Sequence, residues 1–249
     1  MKPLDRQVTI SIASMPSREE GLKESVRRLL PQCDRMNICL NDYPFVPKGL
    51  MHPKIQVYQP CSDEALSDHG KFYWCKGMLG YHLTADDDII YPYDYVEQLV
   101  AKIEQYKRRA VISYHGSRFL VAEGRLINYP FSRQLIRFGD TTETDMTAHM
   151  LGTGVGGYHS TLLNWDYTMI GEGGTDEHLA MYAQARKIPM ILAAHRRGWL
   201  LDNKGASTMD PIHARRNIQQ KMINMLCGYK HWVYTGEELL NENNGTNLR

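Results

Sequence analysis

The sequence predicts a single α/β domain built on a central, mostly parallel sheet. Short apolar runs with β-branched content recur at Val8 to Ser14, Met36 to Leu40, Lys54 to Tyr58, Tyr81 to Thr84 and Ala110 to Tyr114. Stretches of helical period stand between several of them. A length of 249 residues suits one domain of this class, read here as 1–240 with a polar tail at 241–249.

The opening is a β-turn-α unit. Val8 to Ser14 alternates apolar and small polar residues, Pro16 and Ser17 turn the chain, and Leu22, Val26, Leu29 and Leu30 follow at helical spacing. Met36 to Leu40 and Lys54 to Tyr58 supply the next strands. A helix is expected over Gly70 to Leu79, then a buried strand from Tyr81 that runs straight into Ala85 and three aspartates. Val96, Leu99, Val100 and Ile103 repeat at i, i+3, i+4 and i+7, which marks a helix packed on the sheet. Residues 117–149 read as loops and short hairpins. A Gly-rich strand and turn at Leu151 to Tyr158, a helix from Thr175 to Lys187, a strand from Met190 to Ala194 and a helix carrying Ile218, Met222, Met225 and Leu226 complete the pattern.

Composition narrows the function classes. The formal charge of +1 leaves no broad basic face for nucleic acid, whose binding depends on clustered Lys and Arg. The pairs Arg196-Arg197 and Arg215-Arg216 read as solvated edges, or as contacts to phosphate or an anionic membrane surface. Five cysteines form no C-x-x-C pair, so a zinc knuckle and a complete disulfide framework are not indicated and a reducing cytoplasm is expected. No apolar run reaches the length of a membrane span or forms a signal peptide; work on membrane-linked glycans would be peripheral, at the inner face of the plasma membrane.

Asp86, Asp87 and Asp88 supply a D-x-D pattern at the carboxyl end of a strand, where α/β sheets place ligands. A nucleotide-sugar diphosphate concentrates negative charge, and a divalent cation held by carboxylates can stabilise the departing nucleoside diphosphate. Hard oxygen ligands suit Mg²⁺ or Mn²⁺. Acidic triplets also occur in solvated turns and helix caps, but this one sits between an apolar strand and the run Ile89-Ile90-Tyr91-Pro92.

The segments Asn37-Ile38-Cys39-Leu40-Asn41, Asp68-His69-Gly70-Lys71-Phe72 and Leu83 to Val96, with Leu151-Gly152-Thr153-Gly154 and Trp199-Leu200, resemble bacterial capsule glycosyltransferases of GT-A fold. They look most like the family of the heparosan α-N-acetylglucosaminyltransferase. The likeness is dense from about residue 8 to 105 and thin afterwards. It implies a Rossmann-like nucleotide-sugar-binding half at 1–116 and an acceptor-binding half at 117–240. It also implies that Ala13, Ser14, Met15, Pro16 and Asn41 line a uridine pocket, that Asp68 and Lys71 approach the base or diphosphate, and that the triplet holds metal with ribose or phosphate.

Asp176 and Glu177 open a helix after two glycines. They read either as helix-capping acids or as catalytic carboxylates across the sugar from the metal, a general base if configuration inverts and an orienting group if it is retained. His195, at a strand end, is a third candidate metal ligand beside Asp88 and Asp86, with a structural histidine as the alternative; His213 competes for the same role. Gly152-x-Gly154-x-x-Gly157 matches a dinucleotide fingerprint, but its flanks are a poor strand and a poor helix. Tyr73, Trp74, Tyr91, Tyr93 and Trp199 are candidates for stacking on uracil or sugar rings, with core packing as the alternative.

The expected function is metal-dependent transfer of N-acetylglucosamine from UDP-GlcNAc, with retention, onto a capsular or surface oligosaccharide or polysaccharide. A second glycosyltransferase or a capsule-assembly complex is the expected partner. The alternatives are an inverting UDP-sugar transferase with Asp176 as base, and an NAD-dependent oxidoreductase using Gly152 to Gly157.

Overall fold

Val8–Ser14 (β1) has six of its seven residues buried and lies inside a large sheet. The computed structural model describes residues 2–61, 66–163, 165–170, 174–203, 216–233 and 236–246. After β1 comes Glu19–Leu29 (α1), whose Leu22, Val26 and Leu29 are buried on one face at the spacing the sequence shows. Each such side chain contributes roughly 2 kcal/mol of burial. Arg35–Leu40 (β2), Ile55–Tyr58 (β3), Tyr81–Ala85 (β4) and the short Ile89–Ile90 (β5) follow, then Tyr95–Gln105 (α2) and Val111–Ser113 (β6). The second half holds Gly116–Arg118 (β7), Val121–Ala122 (β8), Arg125–Leu126 (β9), Gln134–Ile136 (β10), Met146–Thr147 (β11), Met150–Leu151 (β12) and Val155–His159 (β13). Thr175–Ala185 (α3), Met190–Leu192 (β14), Leu201–Asp202 (β15), Arg216–Gly228 (α4) and Glu237–Thr246 (α5) complete the described elements.

The eight-stranded sheet has the order β11-β14-β6-β13-β4-β1-β2-β3. β3, β2, β1, β4, β6 and β14 run in one direction, and only β13 and β11 oppose them. The expectation of an α/β domain on a mostly parallel sheet is therefore borne out. Successive connections leave β1 for β2 on one side and reach β4 on the other, so a cleft opens beyond the carboxyl ends of β1 and β4. Antiparallel β13 fits between β4 and β6 because it carries Gly156 and Gly157. A Cβ on Gly156 would lie 2.7 Å from Ile112 O, and one on Gly157 would lie 2.8 Å from His82 O.

Two expectations need correction, and the doubt about the glycine fingerprint is borne out. The helix predicted over Gly70 to Leu79 is a 3-10 segment, Ser67–Phe72, followed by turns. Gly70 is pressed against the Cys39 side chain, and the positive φ of Gly77 (74°) and Gly80 (89°) cannot continue a helix. Residues 241–246, read as a polar tail, continue α5, whose Leu239 is buried. Gly154 to Gly157 does not open a helix: the chain enters β13 at Val155, so the dinucleotide fingerprint has no helix N-terminus to offer a pyrophosphate.

Candidate functional site

Asp86 follows the last residue of β4, and its position is fixed by backbone contacts. Tyr91, fully buried, accepts a hydrogen bond from Asp86 N at 2.7 Å and donates to Gly154 O at 2.6 Å. Ser25 of α1 donates to Asp86 O and Ile89 O, and Asn203 N donates to Asp88 O at 2.8 Å. The apolar run after the triplet thus clamps the acidic turn between β4, α1 and β13. Gly154 is required at its place, since a Cβ there would collide with the Asp86 carboxylate.

The three carboxylates have different neighbours. Lys71 Nζ lies 2.5 Å from Asp86 Oδ1, while Arg18 reaches Asp87 Oδ1 at 3.0 Å and Asp88 Oδ2 at 3.1 Å. Asp87, read from sequence as donor-binding, is 2% exposed and tied to Arg18, whose guanidinium it anchors. The side chains of Asp86 and Asp88 remain 37% and 27% exposed. Burial, reinforced by the Asp86 charge, pushes the Asp88 carboxyl up to about 6 despite Arg18. Negative charge here exceeds what Lys71 and Arg18 neutralise.

Lys71 is 3% exposed. Burial pulls its ammonium pKa down, but Asp86 and Asp68 more than offset this and hold the group charged. Lys71 also donates to Thr153 Oγ1 at 3.3 Å, and Thr153 donates through both N and Oγ1 to Asp176 Oδ1 at 2.8 Å. One polar chain therefore links Asp86 to Asp176, joining two halves of the site that are far apart in sequence. Burial raises the pKa of Asp176, and burial with the Asp176 charge pushes Glu177 up to about 7. Asp68 accepts from Thr175 N and Oγ1, at 3.3 and 2.6 Å, so it caps α3.

Beyond the ends of β1 and β2, Ser14 Oγ and Tyr43 OH lie 3.2 Å apart, and Asn41 Nδ2 donates to Ser67 O at 2.9 Å. Asn41 Oδ1 accepts from Leu66 N. Asn41 thereby ties the 3-10 segment to the sheet, with Ala13 against Gly70 beneath it. Met15 and exposed Pro16 continue the rim. An open pocket of about 400 Å³ lies alongside, lined by Asp42, Tyr43, Gln59, Pro60 and Cys61.

His195 does not join this cluster. Its Nδ1 faces Ala193 O at 2.8 Å and its Nε2 faces Arg137 O at 3.4 Å, both structural partners. Among the described residues no three His, Cys, Asp or Glu side chains converge on a metal-sized site, so the predicted set of Asp86, Asp88 and His195 is not assembled. His213, Arg215 and Gly173 lie outside the described residues. Tyr91 is a core residue and partly buried Trp199 packs against the core, donating to Asp94 Oδ1 at 2.9 Å, while Tyr73 stacks on Tyr58 with centroids 3.9 Å apart and packs edge-on with Trp74. Tyr93 is exposed and bonds Arg27.

Two participants escaped the sequence reading. Arg18 stands in an ordinary Ser-Arg-Glu-Glu run and becomes a site residue only because β1 and β4 are neighbours. His115 sits between β6 and β7, packed on Gly152, where a Cβ would lie 2.8 Å from its ring. Burial lowers its pKa, while the Asp176 and Asp86 charges raise it and those of Arg133 and Arg137 lower it.

No family model matches the chain, and no curated protein matches it. Solved structures do resemble it. One is a 4-diphosphocytidyl-2C-methyl-D-erythritol synthase from Anaerococcus prevotii, 9% identical over 75% of this chain and 87% of that one, with a TM-score of 0.47. Another is CMP:2-keto-3-deoxy-manno-octonic acid synthetase complexed with CTP, 14% identical over 72% and 84%, with a TM-score of 0.43. A third, described as a glucose-1-phosphate thymidylyltransferase from Bacillus anthracis, is 10% identical over 88% and 95%, with a TM-score of 0.48. At these identities the likeness is one of fold.

None of the three is a capsule glycosyltransferase, and their names are those of nucleotide-transferring enzymes. The expected retaining or inverting transfer from UDP-GlcNAc is not what the names of these neighbours describe. The oxidoreductase alternative fails on the chain itself, because its glycine segment turns into strand β13 and opens no helix. An acidic motif at a strand end is suited to a cation and says nothing of which bond is broken.

Proposed function

We propose that the chain is a divalent-metal-dependent transferase acting on a nucleotide, and that it moves the nucleotidyl group of a nucleoside triphosphate. The observation that supports this is the charged array at one sheet edge: Asp86 and Asp88, partly open and short of positive charge, flanked by Lys71 and Arg18. Such an array suits a polyphosphate with its cation better than a neutral ligand. Mg²⁺ or Mn²⁺ fits two carboxylates, since these ions complete their shells with water and substrate phosphate oxygens. Asp86 and Asp88 would hold the ion, which when bound supplies Lewis-acid stabilisation of phosphate charge.

In this reading the nucleoside lies along Ser14, Met15 and Pro16, with Asn41 holding the 3-10 segment beneath it. Lys71 neutralises phosphate oxygens, and Arg18 keeps Asp88 in place. An acceptor oxygen attacks the α-phosphorus, the bond to the bridging oxygen breaks, and pyrophosphate leaves. Asp176 and Glu177 orient the acceptor from the far side. Arg133 and Arg137, whose charges act on His115, favour an anionic acceptor such as a sugar phosphate.

Incubation with each nucleoside triphosphate, a panel of sugar phosphates and Mg²⁺ or Mn²⁺ tests the reading. Pyrophosphate release together with a nucleotide-linked product by mass spectrometry is expected. Release of nucleoside diphosphate from a nucleotide sugar, with no pyrophosphate from any triphosphate, would overturn it.

A further inference from the structure

We propose that the β8–β9 hairpin and the loop after it form a docking face for the surface of an anionic lipid bilayer. The hairpin turns at Glu123 and Gly124, both at positive φ, and Ile127 N donates to Leu120 O at 2.9 Å, extending the ladder by one pair. Alternation then fixes two faces. Val121 and Leu126 point inward and pack against the second hydrophobic cluster beside Phe119 and Trp232. Leu120, Ala122, Arg125 and Ile127 share the outward face, where polar residues would be expected, and all four are exposed.

Other apolar groups flank that face. Asn128 O accepts from Ser132 N, and Pro130 O accepts from Arg133 N, closing a tight loop with Phe131 at its tip, 86% exposed. Trp232 N donates to Gly124 O at 3.1 Å, which brings Val233, 73% exposed, beside the hairpin turn. Leu120 is 54% exposed and Ile127 40%. With Leu120 and Ile127 on the face and Phe131 and Val233 exposed on the adjoining turns, four large apolar side chains stand in solvent, unusual for a surface with nothing to bind.

Charge selects the occupant. Arg125 on the outward face and Lys230 beside the turn are exposed, and neither has an ion-pair partner among the described residues, with Glu123 the one acidic group on the hairpin. In a chain of net charge +1 this is a local positive rim around an apolar tip. Apolar side chains inserted at the headgroup boundary and cations at anionic headgroups match that pattern. The face lies on the same segment as Arg133 and Arg137, so docking would bring the acceptor side of the site close to the membrane. The inference does not depend on the reaction proposed above.

Co-sedimentation of the full chain with vesicles of phosphatidylcholine alone and of phosphatidylcholine mixed with phosphatidylglycerol is the test. Binding to the mixed vesicles, weakened by salt, is expected. The variants Phe131→Ser and Arg125→Glu, both at exposed positions, should each lower partitioning about tenfold while melting at the wild-type temperature. Phe131→Trp should bind as the wild type does and blue-shift its emission on mixed vesicles. Absence of binding, binding unchanged in both loss variants, or a dimer in vesicle-free solution that Phe131→Ser dissolves would overturn the proposal. The dimer would assign the face to a second copy.

Discussion

Lys71 Nζ lies 2.5 Å from Asp86 Oδ1, and the lysine is buried while the aspartate is still partly open to solvent. This asymmetry gives the two deletions different costs. Asp86→Asn strands a buried ammonium, a change that costs about 3 kcal/mol in comparable pairs. Lys71→Met leaves a carboxylate that water can reach and should cost less, about 1–2 kcal/mol. Urea unfolding of both variants checks the order. Equal losses would mean that the pair contributes no buried charge.

Gly154 touches the Asp86 carboxylate, whereas Gly157 touches the β4 backbone. Gly154→Ala is expected to displace the carboxylate and weaken binding of nucleoside triphosphate with Mg²⁺ about tenfold or more. Gly157→Ala should instead lower the melting temperature by several degrees, about 1–2 kcal/mol, and leave affinity of the folded fraction unchanged. Calorimetry on both, at a temperature where both are folded, separates a site effect from a sheet effect.

Glu177 is held near pH 7 by burial, then by the charge of Asp176. Its folded pKa of about 7 exceeds the unfolded value of 4.5, so the native state binds the extra proton. Stability from this group is present below about pH 4.5 and is lost progressively as pH rises to about 7, by up to about 3 kcal/mol. Glu177→Gln, which cannot ionise, should therefore gain stability relative to the wild type between about pH 5 and 8. Parallel pH profiles of unfolding for the two proteins would rule the buried ionisation out.

Chelation addresses the excess negative charge at Asp86 and Asp88. With EDTA present, affinity for a nucleoside triphosphate should fall at least about tenfold, while that for the bare nucleoside stays constant. Equal triphosphate affinity with and without chelator would show that Lys71 and Arg18 suffice.

The sequence by itself determined the strands, because Val8 to Ser14 and Tyr81 to Ala85 carry their apolar pattern locally, and it determined the acidic turn, because three adjacent carboxylates after a buried strand have few structural uses. It did not determine the helix expected at Gly70, since only contact with Cys39 and the turns at Gly77 and Gly80 exclude one. Nor did it place Arg18 against Asp87 and Asp88, link Lys71 to Asp176 through Thr153, turn Asp68 into the cap of α3, or keep His195 with Ala193 and Arg137. Apart from the His195–Ala193 contact, those relationships join residues tens of positions apart. Local pattern is set by side chains within a turn or a strand, whereas the partners of a buried charge are chosen by which strands become neighbours, and that is settled only when the sheet is assembled.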